Sequence, residues 1–190
     1  MLAINLGFME RTVVLIKPDG VKRNLIGEVI SRFEKVGLKI VAMKMMWAKG
    51  DHLGKHYTDD KEYLISLGKK TLKTYEDYGR DAGKDLGTED PLELGRMIRG
   101  WTIDYVGSGP IVAILLEGRH AVDNVKSIAG PTMPVNAPAG TIRGDFSTDS
   151  AAYANPEKRG VENIVHVSGS NEEAAFEEKL WFHESDIHSY

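Results

Sequence analysis

The chain has no cysteine among its 190 residues. That excludes disulfides, thiol nucleophiles and thiolate metal sites, and it fits a reducing, cytoplasmic setting. No apolar run approaches the roughly 20 residues a helix needs to cross a bilayer. Met1–Phe8 is mildly apolar, but it lacks a basic start and is too short for a secretion signal. An excess of positive charge is also missing. The net charge of -4 argues against a general nucleic-acid coat, although a few placed cations are enough to hold phosphate. There is no internal repeat and no low-complexity tract. What remains, 42% hydrophobic and 27% charged, is the composition of one globular domain over 1–190, long enough to bury a core.

Four short apolar runs mark strands. Thr12-Val-Val-Leu-Ile16 and Ile111-Val-Ala-Ile-Leu-Leu116 are unbroken. Leu38–Trp47 carries Ile40, Val41, Met43, Met45 and Met46, and Asn163–Val167 sets Ile164, Val165 and Val167 around His166. Between them, Ile26, Val29, Ile30, Phe33 and Val36 recur at helical spacing, with Gly37 as a stop. Ala121, Val122, Val125, Ile128 and Ala129 form another stripe. The order strand, helix, strand, helical segment, strand, helix, strand, helix is the split βαβ pattern. It predicts an α+β, ferredoxin-like fold, with an antiparallel four-stranded sheet and helices on one face.

Segment 58–107 reads as an inserted helical hairpin. Asp90-Pro-Leu-Glu93 supplies a capping Asp, a proline at the first helical position and an acid in the first turn. Leu94, Met97, Ile98, Trp101 and Tyr105 then form a broad stripe. Two roles fit it nearly equally, an assembly surface and a lid that flexes at the Gly79–Gly87 break, beside the plainer one of an insertion that caps the core.

Several loops carry chemistry. Lys17-Pro-Asp-Gly20 ends the first run in turn residues and holds Lys17 at a strand tip. Asp51–Tyr57 reads as a short helix. Gly130–Gly140 contains Pro131, Pro134 and Pro138 and is an irregular loop. Arg143, between Gly140 and Gly144, stands where a backbone can approach a ligand and a guanidinium can fork onto phosphate. Ser170-Asn-Glu-Glu173 matches a capping box, in which the Ser oxygen and Glu carboxylate satisfy free helix N–H groups. His166 therefore stands near a strand end, just before a helix start. That suits a nucleophile that accepts and returns an anionic group. Taken alone, such a histidine is more often a core residue. His52, His56 and His120 are expected to lie on helices or turns away from it.

Lys17-Pro-Asp-Gly20, Gly140-Thr-Ile-Arg-Gly-Asp-Phe146 and Asn163-Ile-Val-His166 together resemble the nucleoside diphosphate kinases, with Glu10-Arg11-Thr12 and Leu180-Trp181-Phe182 in support. The resemblance covers 9–57 and 108–182. It implies ping-pong transfer of the terminal phosphate of a nucleoside triphosphate to a nucleoside diphosphate through a phosphohistidine at His166. It implies Lys17, Ser168 and Glu177 as catalytic partners, and Lys17, Tyr57, Lys126, Thr132, Arg143 and Asn163 as nucleotide ligands, Asn163 at the ribose hydroxyl. Magnesium would come on the nucleotide, with no protein metal ligands, and the chain would form a homo-tetramer or homo-hexamer. This sequence departs from the family in four places. Lys126 replaces a phosphate-binding arginine. Val167-Ser168-Gly169 replaces Gly-Ser-Asp, so a β-branched Val167 would be strained wherever positive φ is needed. Segment 58–107 is longer than the family's hairpin, and it offers Tyr63 as the base-stacking aromatic. The alternative is a non-catalytic nucleotide- or nucleic-acid-binding member of the fold.

Overall fold

A computed structural model describes residues 9–190; the Met1–Phe8 reading lies outside the described residues. The sheet strands are β1 (Glu10–Ile16), β2 (Lys39–Met46), β3 (Ile111–Gly118) and β4 (Val165–Val167). They lie in the order β2-β3-β1-β4, and every neighbouring pair is antiparallel. Side chains alternate across the sheet, so the unbroken apolar runs require both faces to be covered. Val14, Ile16, Ile114 and Leu116 pack on Val29 and Phe33 of α2 (Ile26–Glu34) and Val125 and Ala129 of α7 (Ala121–Ala129). These are the two helices expected on one face. Val13, Leu15, Ala113 and Leu115 face the other way, onto Leu53 of α3 (Asp51–His56), Val106 of α6 (Pro91–Val106) and Trp181 of α10 (Asn171–Trp181). The second face is thus covered as well.

The segment after α3 is a hairpin of α4 (Lys61–Asp77) and α6, with the single turn α5 (Ala82–Leu86) between. Asp60 and Asp90 cap the two long helices through the N–H groups of Tyr63 and Glu93. The helices touch backbone to backbone. A Cβ on Gly68 would stand 1.8 Å from the Pro91 carbonyl oxygen, and one on Gly95 would stand 2.0 Å from that of Leu64. Tyr75, Leu86 and Leu94 give the hairpin a core of its own. Its far end is tied down, because Arg80 donates to the Ala152 carbonyl of α9 (Ala151–Ala154) at 2.7 Å.

Two local expectations change. Lys17-Pro-Asp-Gly20 is not a simple turn but the start of α1 (Pro18–Lys22), with proline in the first turn, where its missing N–H costs nothing. The last strand is shorter than Asn163–Val167. It begins at Val165, because the chain turns sharply at Ile164. Within the irregular 130–140 loop there is one 3-10 turn, Pro134–Asn136. Thr141 then caps α8 (Ile142–Phe146) through the Gly144 N–H.

Candidate active site

His166 is the middle residue of β4 and pairs with Leu15, so it faces α10. There its Nε2 lies 2.6 Å from Glu177 Oε1. Glu177 is buried, and Ser168 Oγ donates to its second oxygen at 2.7 Å while accepting from the Val13 N–H. Burial raises the Glu177 pKa, against the neighbouring His56 and the Ser168 hydrogen bond. His166 titrates well below an ordinary histidine, first from burial and then from Lys17, and it is neutral at physiological pH. With Nε2 turned to a carboxylate, the ring proton belongs on Nε2 and the lone pair on Nδ1. Nδ1 has no hydrogen-bond partner among the described residues. The helix start behind this strand differs slightly from a capping box. Ser170 accepts from the Glu173 N–H as expected, but Glu173 reaches back to the N–H of Gly169, not of Ser170.

His56 does not lie away from the site. Its ring meets that of His166 edge to face at 4.3 Å, and its Nδ1 is 3.3 Å from both Glu177 Oε1 and Trp181 Nε1. Burial, and next His166, push its pKa down. Leu53, one helical turn earlier, is the sequence signal that His56 shares the inward face of α3. His52 meets Trp181 edge to face at 4.3 Å, one ring further back. His120 stands apart, at the start of α7.

In front of His166 lies a cleft of about 1040 Å³, lined by Lys17, Tyr57, Lys126, Thr132, Arg143 and Asn163. All six candidate nucleotide ligands therefore share one space with His166, while Ser168 and Glu177 stand behind it. Lys17 donates from Nζ to Asn163 Oδ1 at 2.7 Å, and Asn163 Nδ2 donates to the Thr132 carbonyl at 2.9 Å. Burial, and next Arg143, lower Lys17 to about 7. Arg143 is buried and lowered to about 10 by desolvation. Its guanidinium donates to the carbonyls of Gly130, Asn163 and Val165, which leaves two of five N–H groups for a ligand. Lys126 donates to the Gly169 carbonyl at 3.1 Å. The Tyr57 hydroxyl is buried without a partner, and burial raises its pKa. From the hairpin, Tyr63, Leu67, Lys70 and Arg99 line the same cleft. Arg99 also donates to the Tyr57 and Gly54 carbonyls, tying α6 to the end of α3.

The strain expected at Val167 is absent, since Val167 is ordinary strand. It sits at Ile164 instead, where φ is +67° and the Val165 N–H bonds back to the Asn163 carbonyl at 2.7 Å. That is a three-residue γ-turn of the strained hand, on a β-branched residue. The Ile164 N–H donates to Asp19 Oδ2 at 3.1 Å, and its carbonyl accepts from the Lys17 N–H at 2.8 Å. The inward role of Asp19 was not legible in the sequence.

His56, His166 and Glu177 offer ligand atoms within 4.8 Å of one another, a grouping with metal-ligand chemistry. Yet 2.6 Å between His166 and Glu177 is a closed hydrogen bond. Two ligands each about 2.0–2.2 Å from a tetrahedral ion stand further apart than that.

The family model described as "Nucleoside diphosphate kinase" matches residues 10–66 and 97–187. A protein of Pyrobaculum aerophilum named nucleoside diphosphate kinase is 48% identical over 179 residues, which are 94% of this chain and 98% of that protein. One of Pyrococcus furiosus with the same name is 39% identical over 184 residues, 96% of this chain and 88% of that protein. The crystal structure of an NDP kinase from Pyrobaculum aerophilum superposes with a TM-score of 0.92 at 45% identity, covering 96% of this chain and 100% of that one. A transition state mimic of the nucleoside-diphosphate kinase of Borrelia burgdorferi, with bound vanadate and ADP, superposes with a TM-score of 0.76 at 31% identity, covering 96% and 92%.

Proposed function

The chain belongs to the nucleoside diphosphate kinase family, and from that premise we propose that it moves the terminal phosphate of a nucleoside triphosphate to a nucleoside diphosphate through His166. The enzyme is a phosphotransferase. One observation carries the assignment of the nucleophile: Glu177 holds His166 by Nε2, so the lone pair of Nδ1 is the one left to attack. In the first half-reaction Nδ1 forms a bond to the γ-phosphorus, and the bond from that phosphorus to the bridging oxygen breaks. The diphosphate leaves, and the ring gains positive charge. Glu177 faces that charge, with its second oxygen fixed by Ser168. A second diphosphate reverses the step. Phosphoryl transfer asks a protein mainly for position and positive charge on the equatorial oxygens. Lys17, the two spare Arg143 donors, the Tyr57 hydroxyl and Lys126 provide them.

Lys17, Lys126 and Arg143 bring cations to the cleft, and Tyr57 and Thr132 bring hydroxyls, which fits phosphate. Magnesium then favours phosphate and water ligands and supplies charge neutralisation on the nucleotide it arrives with. The hairpin serves as a wall of the cleft, a reading supported by Arg99 and Arg80, which tie it to the end of α3 and to α9, and Tyr63 would be its residue for the base. Self-association fits the edge strand β2, which exposes Met43, Met45 and the adjoining Trp47. A non-catalytic binding role would leave the His166–Glu177–Ser168 arrangement without a task. Incubation with γ-labelled triphosphate separates the two readings. Label on the protein that is acid-labile and base-stable is expected; protein that binds nucleotide but takes no label would favour the binding role.

Two further outcomes follow from the geometry. Asn163→Ala is expected to shrink, by roughly tenfold, the preference for nucleotides with a 3′-hydroxyl over those without. Equal losses on both sugars would remove the sugar role. The second concerns pH. Lys17 is lowered to about 7, so its charge is lost as pH rises through 7. In the free enzyme kcat/KM should therefore fall above neutrality, approaching tenfold per pH unit. Bound phosphate raises the Lys17 pKa again, so kcat should hold to higher pH. Parallel basic limbs for kcat and kcat/KM would contradict this.

A further inference from the structure

The strained turn at Ile164 sits between two residues the reaction needs. Asn163 precedes it, and His166 follows two residues later. A β-branched residue in this conformation persists only where its surroundings hold it. Arg143 holds the flanking carbonyls of Asn163 and Val165. The Lys17 N–H holds the Ile164 carbonyl. The Ile164 N–H is left to Asp19 Oδ2. Asp19 in turn is held from outside the sheet, because the Tyr105 hydroxyl, at the end of α6, donates to Asp19 Oδ1. Burial and the adjacent Asp19 raise the Tyr105 pKa, so this donor keeps its proton. The same ring lies under Lys17, with Nζ 5.4 Å from its centroid.

We infer that Tyr105 is a positioning residue. Through Asp19 it keeps Ile164 in the strained turn, and the turn aims the Asn163 side chain and sets the start of the strand that carries His166. Tyr105 need not touch the nucleotide. The sequence showed it only as the last member of an apolar stripe, and its hydroxyl gives it a second use. The kinetic part of this inference rests on the phosphotransfer reading; the structural part does not.

Tyr105→Phe isolates the hydroxyl, since it keeps the ring under Lys17. Losing a hydrogen bond to a buried carboxylate should slow phosphoenzyme formation by about tenfold and reduce 3′-hydroxyl preference alongside it. Amide exchange at Ile164 should quicken by a similar factor. The coupling is tested by repeating the change in an Ile164→Gly background, where the left-handed conformation carries no penalty. There Tyr105→Phe should cost less than about twofold in rate. Ile164→Asn serves the same purpose, with more volume, if the glycine variant does not fold. A merely structural tyrosine would lower the melting temperature and leave sugar preference unchanged. It would also cost the same with or without Ile164. Either result overturns the inference. Failure of the wild type to form phosphohistidine would strike the functional reading alone, and Ile164 exchange would still decide the role of Tyr105.

Discussion

His166→Ala is expected to abolish the phosphoenzyme and to lower turnover by at least roughly four orders of magnitude, as loss of a covalent nucleophile does. No neighbour can take its place. His56 is nearest, but it lies behind, with its Nδ1 on Glu177 and Trp181 and its Nε2 buried. Nucleotide binding should survive, because Lys17, Arg143 and Asn163 are tied to the backbone and to one another, not to the imidazole. The check is a labelling gel beside an equilibrium binding measurement. His120→Ala is the proper control, since His120 stands at the start of α7. His56 is no control at all, because it touches both His166 and Glu177. Label persisting on the His166→Ala protein would overturn the assignment.

Arg143→Ala should produce the second largest effect, and a double one. It removes the forked donors from the phosphates, and it strips the carbonyls of Gly130, Asn163 and Val165 of a shared partner. We expect kcat/KM to fall by about two to three orders of magnitude for every nucleotide alike. Stability should fall by about 2–4 kcal/mol, because buried acceptors are left unmade. Arg143→Lys should not restore either quantity, since one ammonium cannot span three carbonyls and a phosphate. Kinetics with several bases and a thermal melt read the two effects apart. A loss confined to one base, or full rescue by lysine, would show that Arg143 does something else.

Much of the fold was legible because its two central strands are buried on both faces. Thr12–Ile16 and Ile111–Leu116 are unbroken apolar runs of strand length. The helices of the hairpin were legible from their caps, since Asp90 and Pro91 act locally. Lys17-Pro-Asp-Gly20 reads as a plain turn in sequence because proline marks a turn and a helix start equally well. The early end assigned to the last strand has a different cause. No sequence rule predicts positive φ at an isoleucine, because only the tertiary clamp of Asp19, Lys17 and Arg143 makes it stable. His56 and Tyr105 were missed for the same kind of reason. Each reaches the site from an element remote in sequence, and periodicity reports burial without naming the neighbour. Of the cleft residues, Lys17, Arg143 and His166 were legible from turn and strand-end chemistry, whereas Tyr57, Lys126, Thr132 and Asn163 came from the resemblance.

The backbone contact at Gly68 and Gly95 bears on the order in which the molecule assembles. The α4–α6 hairpin closes between residues close in sequence, whereas the central strand pair β1–β3 joins Glu10–Ile16 to Ile111–Gly118, across the whole hairpin. Local closure loses less chain entropy, so the hairpin can form before the sheet exists. Its last turn carries Tyr105. The Asp19 clamp joins the end of α6 to α1 and to the turn before β4, so it should form only once the hairpin has docked on the sheet, and phosphotransfer competence should come late in folding.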